Sequence, residues 1–374
     1  MNITIKEIQG RKGLREFICF PHSIYNKNPC WVPALDFDEL NTLSPVKNAA
    51  FEYCEARYWM AYQGGKPVGR IAAILNHNHQ KKWGQNYLRF GWIDFIDDIN
   101  VAKALMDTVE AWAREEGSEA IHGPLGFTDL DREGMLVEGF NELGTLATNY
   151  NHPYYPQFLE QLGYQKDTDW VEYEIPVPNP PDETIHRMAH AAQRRNALRL
   201  ETFTNKKDVL KHAKEIFQLL EEAYKQLYGT VPLTTKQVES YTEQYFGFIK
   251  AEFVPMVFDQ NDTLVAFGIV MPSLSIALQK SHGQLFPLGF LYLIKALRKN
   301  NRADLYLVAV RSDYQGKGVN AMIMDRMNEM FIKYGIKIVE SNPELEDNVD
   351  VQSQWKFFEK RQHKRRRCYI KQLN

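Results

Sequence analysis

The sequence predicts an α/β protein made of two copies of one mixed unit, and three observations predict it. A breaker cluster, PVPNPPDET (176–184), packs four prolines into a span that no helix or central strand accommodates, and it divides the chain into halves of similar length. Each half carries a hairpin signature after a largely helical opening: YWMAYQGGKPVGRIAAIL (58–75) and FVPMVFDQNDTLVAFGIVM (253–271). Each half also ends alike, with FLEQLGYQKDTDWVEYEI (158–175) and FFEKRQHKRRRCYIKQL (357–373) running from a short helix through a polar turn into a strand. A length of 374 residues exceeds one ordinary core and suits two, and 44% hydrophobic residues can fill both.

The elements follow in order. VAKALMDTVEAWAREEG (101–117) aligns Ala104, Leu105, Val109, Trp112 and Ala113 on one helical face, with Gly117 as its stop. KDVLKHAKEIFQLLEEAYKQLYG (207–229) does the same with Leu210, Ile216, Phe217, Leu220 and Tyr224. RADLYLVAV (302–310) reads as a buried strand, VNAMIMDRMNEMFIKYG (319–335) as a helix ending at Gly335, and KIVES (337–341) as the next strand. Between the first two lies Gln-Gly-Lys-Gly. At a strand-to-helix junction, the first helical turn offers unpaired N–H groups and the positive end of the macrodipole. Glycines let that backbone curl round an anion and Lys317 adds a mobile charge, so a pyrophosphate is the natural guest. The spacing matches neither the nucleotide P-loop nor the dinucleotide Gly-x-Gly-x-x-Gly, since Ala321 stands where a third glycine would be.

VAVRSDYQGKGVNAMIM resembles the acyl-CoA-binding segment of the GNAT acyltransferase superfamily, Gln/Arg-x-x-Gly-x-Gly/Ala after a central strand. Gln315 and Gly318 match, while Asn320 departs from the last position; asparagine tolerates unusual backbone angles better than most residues. The hairpin, the strand–loop–helix and the closing helix–strand of both halves follow GNAT order, and FLEQLGY (158–164) resembles the superfamily's closing motif. The resemblance implies two tandem GNAT-like domains, each a mixed, mostly antiparallel sheet flanked by helices: 1–176, a proline-rich linker 177–183, and 184–374. It implies an acetyl-CoA or other acyl-CoA co-substrate held by Val308, Val310, Gln315, Gly316, Lys317, Gly318, Val319, Asn320 and Ala321. The first half has only DDIN at its matching junction, and Asp97 and Asp98 repel phosphate, so that copy is expected not to bind CoA.

Acyl transfer to an amine requires a base, an oxyanion donor and a proton for the leaving thiolate. Backbone N–H groups near Val308 to Val310 are the expected oxyanion donors. Glu340, closing the neighbouring strand, is the expected base, its pKa raised by burial. Phe358 stands where the superfamily often has a tyrosine, which leaves Tyr314, Tyr369 or a water as the acid. The stretch HGPLGFTDLDREGMLVEGFNELGTLATNYNHPYYP (122–156) is long, glycine-rich and aromatic, which fits a functional loop or extra core. It supplies Glu133, Glu138, Asn149, Tyr154 and Tyr155 to an expected acceptor pocket, joined by Asn348. Asn342 and Glu346 are further cleft candidates.

Net charge of −2 argues against wholesale attraction to nucleic acid or to an anionic membrane. The run EKRQHKRRRCYIKQ (359–372) reads as an edge strand guarded by charge. Cys19, Cys30, Cys54 and Cys368 lack metal or disulfide spacing, and His77 and His79 lack a third ligand, so no metal is expected. With no apolar signal core at the N-terminus, the expectation is a cytoplasmic protein. The most apolar window, FPLGFLYLI (286–294), is too short to cross a bilayer. Two functions remain open: an acyl-CoA N-acyltransferase acting on a small-molecule or peptide amine, and a silent tandem scaffold that binds a metabolite, peptide or partner protein.

Overall fold

The computed structural model of the chain describes residues 2–247 and 249–373. The first half contributes β1 (Ile3–Glu7), β2 (Cys54–Gln63), β3 (Lys66–Asn76), β4 (Tyr87–Phe95), β5 (Ala120–Gly123), β6 (Met135–Glu138) and β7 (Gln165–Pro176). The second contributes β8 (Arg199–Glu201), β9 (Met256–Phe258), β10 (Leu264–Pro272), β11 (Arg302–Val310), β12 (Ile338–Glu340), β13 (Glu344–Leu345) and β14 (Arg361–Gln372). Both expected hairpins form, as β2–β3 and β9–β10. The turn of the second is built by the Asp259 carboxylate accepting from the N–H groups of Asn261 and Thr263.

All of these strands join one sheet in the order β1-β2-β3-β4-β5-β14-β7-β12-β11-β10-β9-β8, with β6 on β14 and β13 on β7. The order repeats about its centre. β1 to β5 are matched by β8 to β12, and β4–β5 and β11–β12 are its parallel pairs. The closing strands are exchanged between the halves. β14, the last strand of the second half, seals the first half's sheet against β5, while β7 seals the second half's sheet against β12. The linker docks as well: Val177 N–H donates to Lys337 O, Asn328 Nδ2 donates to Pro178 O, and Asp182 caps the helix Glu183–Arg195.

Helices cover the faces. Ile99–Glu115 packs on the first half's core with Leu105, Val109 and Trp112 buried. Val319–Tyr334 and Glu183–Arg195 do so for the second, through Met322, Ile323 and Ala189. The segment 207–229, read as one helix, is two, Lys206–Lys211 and Ala213–Tyr224, broken at His212 where ψ turns to 3°.

The edge-strand reading of the basic run is overturned, because β14 is central. Arg366 and Lys364 are each only 1% exposed. Arg366 Nε donates to Glu172, Lys364 pairs with Glu340, and Arg365 and Arg367 grip Asp169 from the opposite face. Three successive arginines are accommodated because β7 and the residues around β13 supply carboxylates on both faces of the strand.

Candidate active site

The second half's sheet opens at one seam. β11 and β12 pair only at Arg302–Ile338, Ala303–Val339 and Asp304–Glu340. Beyond that point β11 continues to Val310, while the other chain follows β7, with Ser341 N–H on Tyr173 O and Glu344 opposite Val171. The exposed edge of β11 is legible from its carbonyls. Tyr306 O accepts from Asn342 Nδ2 at 2.9 Å, Val308 O from the Tyr224 hydroxyl at 3.1 Å, and Val310 O from Gln315 Nε2 at 3.1 Å. None of these donors lies on β10, so alternate residues 306, 308 and 310 turn their backbone away from it. The N–H groups of Val308 and Val310 therefore face the opening too. Residues 305–308 are half-exposed although β11 is an inner strand, which marks an open groove.

The glycine loop stands at the head of this edge. Gly316 (φ 70°) and Gly318 (φ 80°) take left-handed conformations, and Gly318 begins the helix Val319–Tyr334. A Cβ on Gly316 would meet nothing within 4 Å, so this side of the loop is open, whereas one on Gly318 would lie 3.3 Å from Ala192 Cβ. Lys317 is exposed with its ammonium 5.3 Å from the Tyr314 ring centroid. Val319 is buried core and Ala321 packs beside it. Asn320 does not need tolerance for unusual angles, since it lies in the regular first helical turn. Its Nδ2 donates to Gln354 Oε1 at 2.7 Å, and its buried Oδ1 has no hydrogen-bond partner among the described residues.

Two expected catalytic roles fail on geometry. Burial favours a raised pKa for Glu340, but His363 and Lys364 outweigh it and hold the carboxyl well below the usual range. A carboxylate so held is a poor base. Its register neighbour Asp304 receives the opposite treatment, pushed to about 7 by burial and by the charge of Glu340. Tyr369 lies on β14 in the first half's core, its hydroxyl on Glu160, remote in the fold from the glycine loop.

The expected acceptor residues scatter. Tyr154 and Tyr155 hydrogen-bond the backbone of Phe95 inside the first half. Asn149 and Tyr155 line a first-half pocket with Arg70, Asp94 and Arg132. Glu138 sits on β6 beside Arg365, and Asn348 caps the short helix Val349–Ser353. Glu133 turns towards the second half, 3.9 Å from the Cβ position of Gly229.

Around Glu133 gathers a group that sequence reasoning missed. Burial raises the carboxyls of Asp129 and Glu133 and pushes Asp131 to about 6. Arg89, fully buried and bonded to Gly126 O, Gly229 O and His79, lies near all three. Burial likewise raises the Tyr224 hydroxyl, reinforced by the charges of Asp129 and Glu344. Glu344, two residues past Asn342 on the far wall of the opening, is pushed by burial to about 7. Its Oε1 accepts from Trp355 Nε1 at 2.8 Å, and its buried Oε2 has no hydrogen-bond partner among the described residues. Leu345 joins Leu227, Tyr228 and Trp170 in a small apolar cluster beneath. The signal that could have found Glu344 is its place beyond the strand end rather than on it.

Two clusters have metal-ligand composition among the described residues, His122–Asp167–Cys368 and Glu172–Glu340–His363. The Tyr228 hydroxyl bonds all three members of the first, and Lys364 Nζ lies against both carboxylates of the second. Both are filled by the chain's own groups.

The first half's matching seam is filled. Leu125 N–H donates to Phe90 O at 2.8 Å, laying residues 124–126 along β4 where β11 is bare. Gly91 permits this, since a Cβ there would stand 2.4 Å from Leu125 O. At the matching helix start, Asp98 accepts from Asn100 N–H, placing a carboxylate where the second half has glycines. Gly91→Ala is expected to lower stability by about 1–3 kcal/mol, read as a shift in denaturant midpoint, because the strands cannot part around the methyl.

A tandem GNAT protein from the clavulanic acid biosynthesis pathway superposes on 99% of this chain and 98% of its own, with a TM-score of 0.57 at 12% identity. The chain has the tandem GNAT fold. Among curated proteins, Protein YghO of Escherichia coli is 26% identical over 99% of this chain and 95% of its own. A bacterial ceramide synthase of Caulobacter vibrioides is 25% identical over 93% and 91%. No protein-family model matches the chain. In GNAT terms, the open seam with its glycine loop belongs to the second repeat and the filled seam to the first, and no described helix is long and apolar enough to cross a membrane.

Proposed function

We propose that the protein is an acyl-CoA-dependent N-acyltransferase whose second repeat carries out transfer to an amine, while the first repeat, its seam closed by Leu125, supplies part of the acceptor pocket. The observation that carries this reading is the bare edge of β11 running from the Gly316–Gly318 loop to the buried, unpaired oxygen of Glu344.

The chain's groups then have these roles. The loop amides and Lys317 hold the pyrophosphate. The N–H groups of Val308 and Val310 face the thioester and receive the developing oxyanion. Glu344, with a pKa of about 7, takes the proton from the acceptor ammonium. As the C–N bond forms and the C–S bond breaks, Tyr224, kept protonated by its raised pKa, gives its proton to the thiolate and is reprotonated by the second proton that the amine nitrogen sheds on becoming an amide. Asp129, Asp131 and Glu133 gather round Arg89 with their carboxyls raised by burial, and a cationic amine placed beside them would favour their charged forms. The name of the Caulobacter relative supports an amine acceptor as well, because a ceramide is the amide of a long-chain amine. Four free cysteines fit work in the cytoplasm.

Calorimetric titration of acetyl-CoA and of a long-chain acyl-CoA into the parent, Lys317→Glu and Gly318→Asp proteins tests the reading. Saturable binding is expected for the parent, weakened about ten- to hundredfold by Lys317→Glu and lost in Gly318→Asp. A folded parent that binds neither thioester overturns the enzyme and leaves a binding scaffold.

A further inference from the structure

The window FPLGFLYLI has no role in the site described above. It lies in a helical hairpin between β10 and β11, made of Ser275–Ser281 and Gly289–Arg298. Of the twelve large hydrophobic side chains exposed among the described residues, seven belong to this hairpin. Phe286 is 78% exposed, Leu288 63% and Leu291 49%, with Phe290, Tyr292 and Ile294 beside them. The helix Gly289–Arg298 buries only Gly289 and Leu293. An amphipathic helix of a soluble domain turns such a stripe inward; this one turns it outward.

Charge identifies the occupant. From Ser273 to Ala303 there is no Asp or Glu, while Lys280, Lys295, Arg298 and Lys299 are all exposed, in a chain whose net charge is −2. The neighbouring carboxylate, Asp36, meets the hairpin at Gly283 on its packed side. Exposed aromatic and aliphatic side chains ringed by cations form the pattern of an element that lies in a lipid interface, apolar groups among the acyl chains and cations at the headgroups. A protein partner covering the same surface would need an acidic rim to match these cations, whereas an anionic bilayer supplies the apolar phase and the negative charge together.

We propose that this hairpin docks the protein on the surface of an anionic lipid bilayer. Net charge argues against attraction over the whole chain, and the attraction proposed here is confined to the hairpin, because the acidic residues lie elsewhere on the chain. The hairpin packs through Leu274 and Leu278 on a cluster that includes Tyr306 of β11, so docking sets the open seam close to the lipid surface.

Flotation of the purified protein with vesicles of phosphatidylcholine and phosphatidylglycerol, beside phosphatidylcholine alone, tests docking without any thioester or acceptor. It is therefore independent of the catalytic reading. The parent is expected to float with the anionic vesicles and to be released by high salt. Phe286→Ser/Phe290→Ser/Leu291→Ser and Lys295→Glu/Arg298→Glu/Lys299→Glu are each expected to cut binding at least about tenfold, with circular dichroism unchanged because the replaced side chains are exposed. A folded parent that stays with the soluble fraction overturns the proposal, as does equal flotation of all three proteins. A salt-resistant dimer abolished by the serine variant, without vesicle binding, overturns it in favour of a second copy of the chain.

Discussion

Glu344→Gln is expected to lower kcat by about 10²- to 10⁴-fold with little change in acyl-CoA affinity, because it removes the base and leaves the glycine loop intact. The parent's rate should fall as pH drops below about 7, where the carboxyl pushed up by burial takes up its proton, and the Gln variant should lose that limb. Stability moves the other way. A carboxyl whose folded pKa lies above its unfolded value of 4.5 contributes stability that is complete below that value and is lost as pH rises through 7. Glu344→Gln should therefore unfold at or above the parent's midpoint at pH 8, showing that the activity loss is chemical rather than structural. An unchanged rate with saturating acceptor would remove Glu344 from the mechanism. Glu344→Asp, which keeps the proton acceptor but shortens its reach, should recover part of the rate.

Arg366→Met is expected to destabilise the whole chain by about 3–5 kcal/mol, since it strands the fully buried carboxylate of Glu172 with only Lys364, 3.6 Å away. It also removes the donor to Asn149 O. Arg366→Met/Glu172→Leu should recover most of that loss, because burying neither charge avoids both desolvation penalties. Because β14 closes the first half's sheet and β7 the second's, urea unfolding followed by tryptophan fluorescence and by far-ultraviolet dichroism should give one coincident transition. Separate midpoints would mean that the exchanged strands do not couple the halves. In acid the pattern has a defined sign. Glu340, held below its unfolded value of 4.5, contributes stability present above that pH and lost as pH falls further.

Local order was readable from residues because its causes are local. Apolar periodicity placed the helices Ile99–Glu115 and Val319–Tyr334, and the Gly-Gly and Asp-Gln-Asn-Asp turns placed both hairpins. Gly316 and Gly318 adopt the left-handed angles that their place between strand and helix suggested. The repeated order of elements pointed to two GNAT-like units, and the fold has them. The acceptor pocket was largely illegible. Tyr154, Tyr155 and Asn149 carry the right chemistry, but which face of a 35-residue loop each occupies depends on partners distant in sequence, such as Tyr25 and Phe95.

What the sequence determined by itself, then, is every property set within a turn or two of chain: element type, the breaker at 176–184, the curled loop at 315–318. Tertiary structure alone decided which strand pairs with which, and that choice set the chemistry. The exchange of β7 and β14 brings Lys364 and His363 against Glu340 and makes it a poor base, while at Glu344, beyond the strand end, burial outweighs the pull of Lys360. Identical carboxyl groups four residues apart diverge because a carboxylate's proton affinity follows its burial and its counter-charges, and both belong to the assembled sheet.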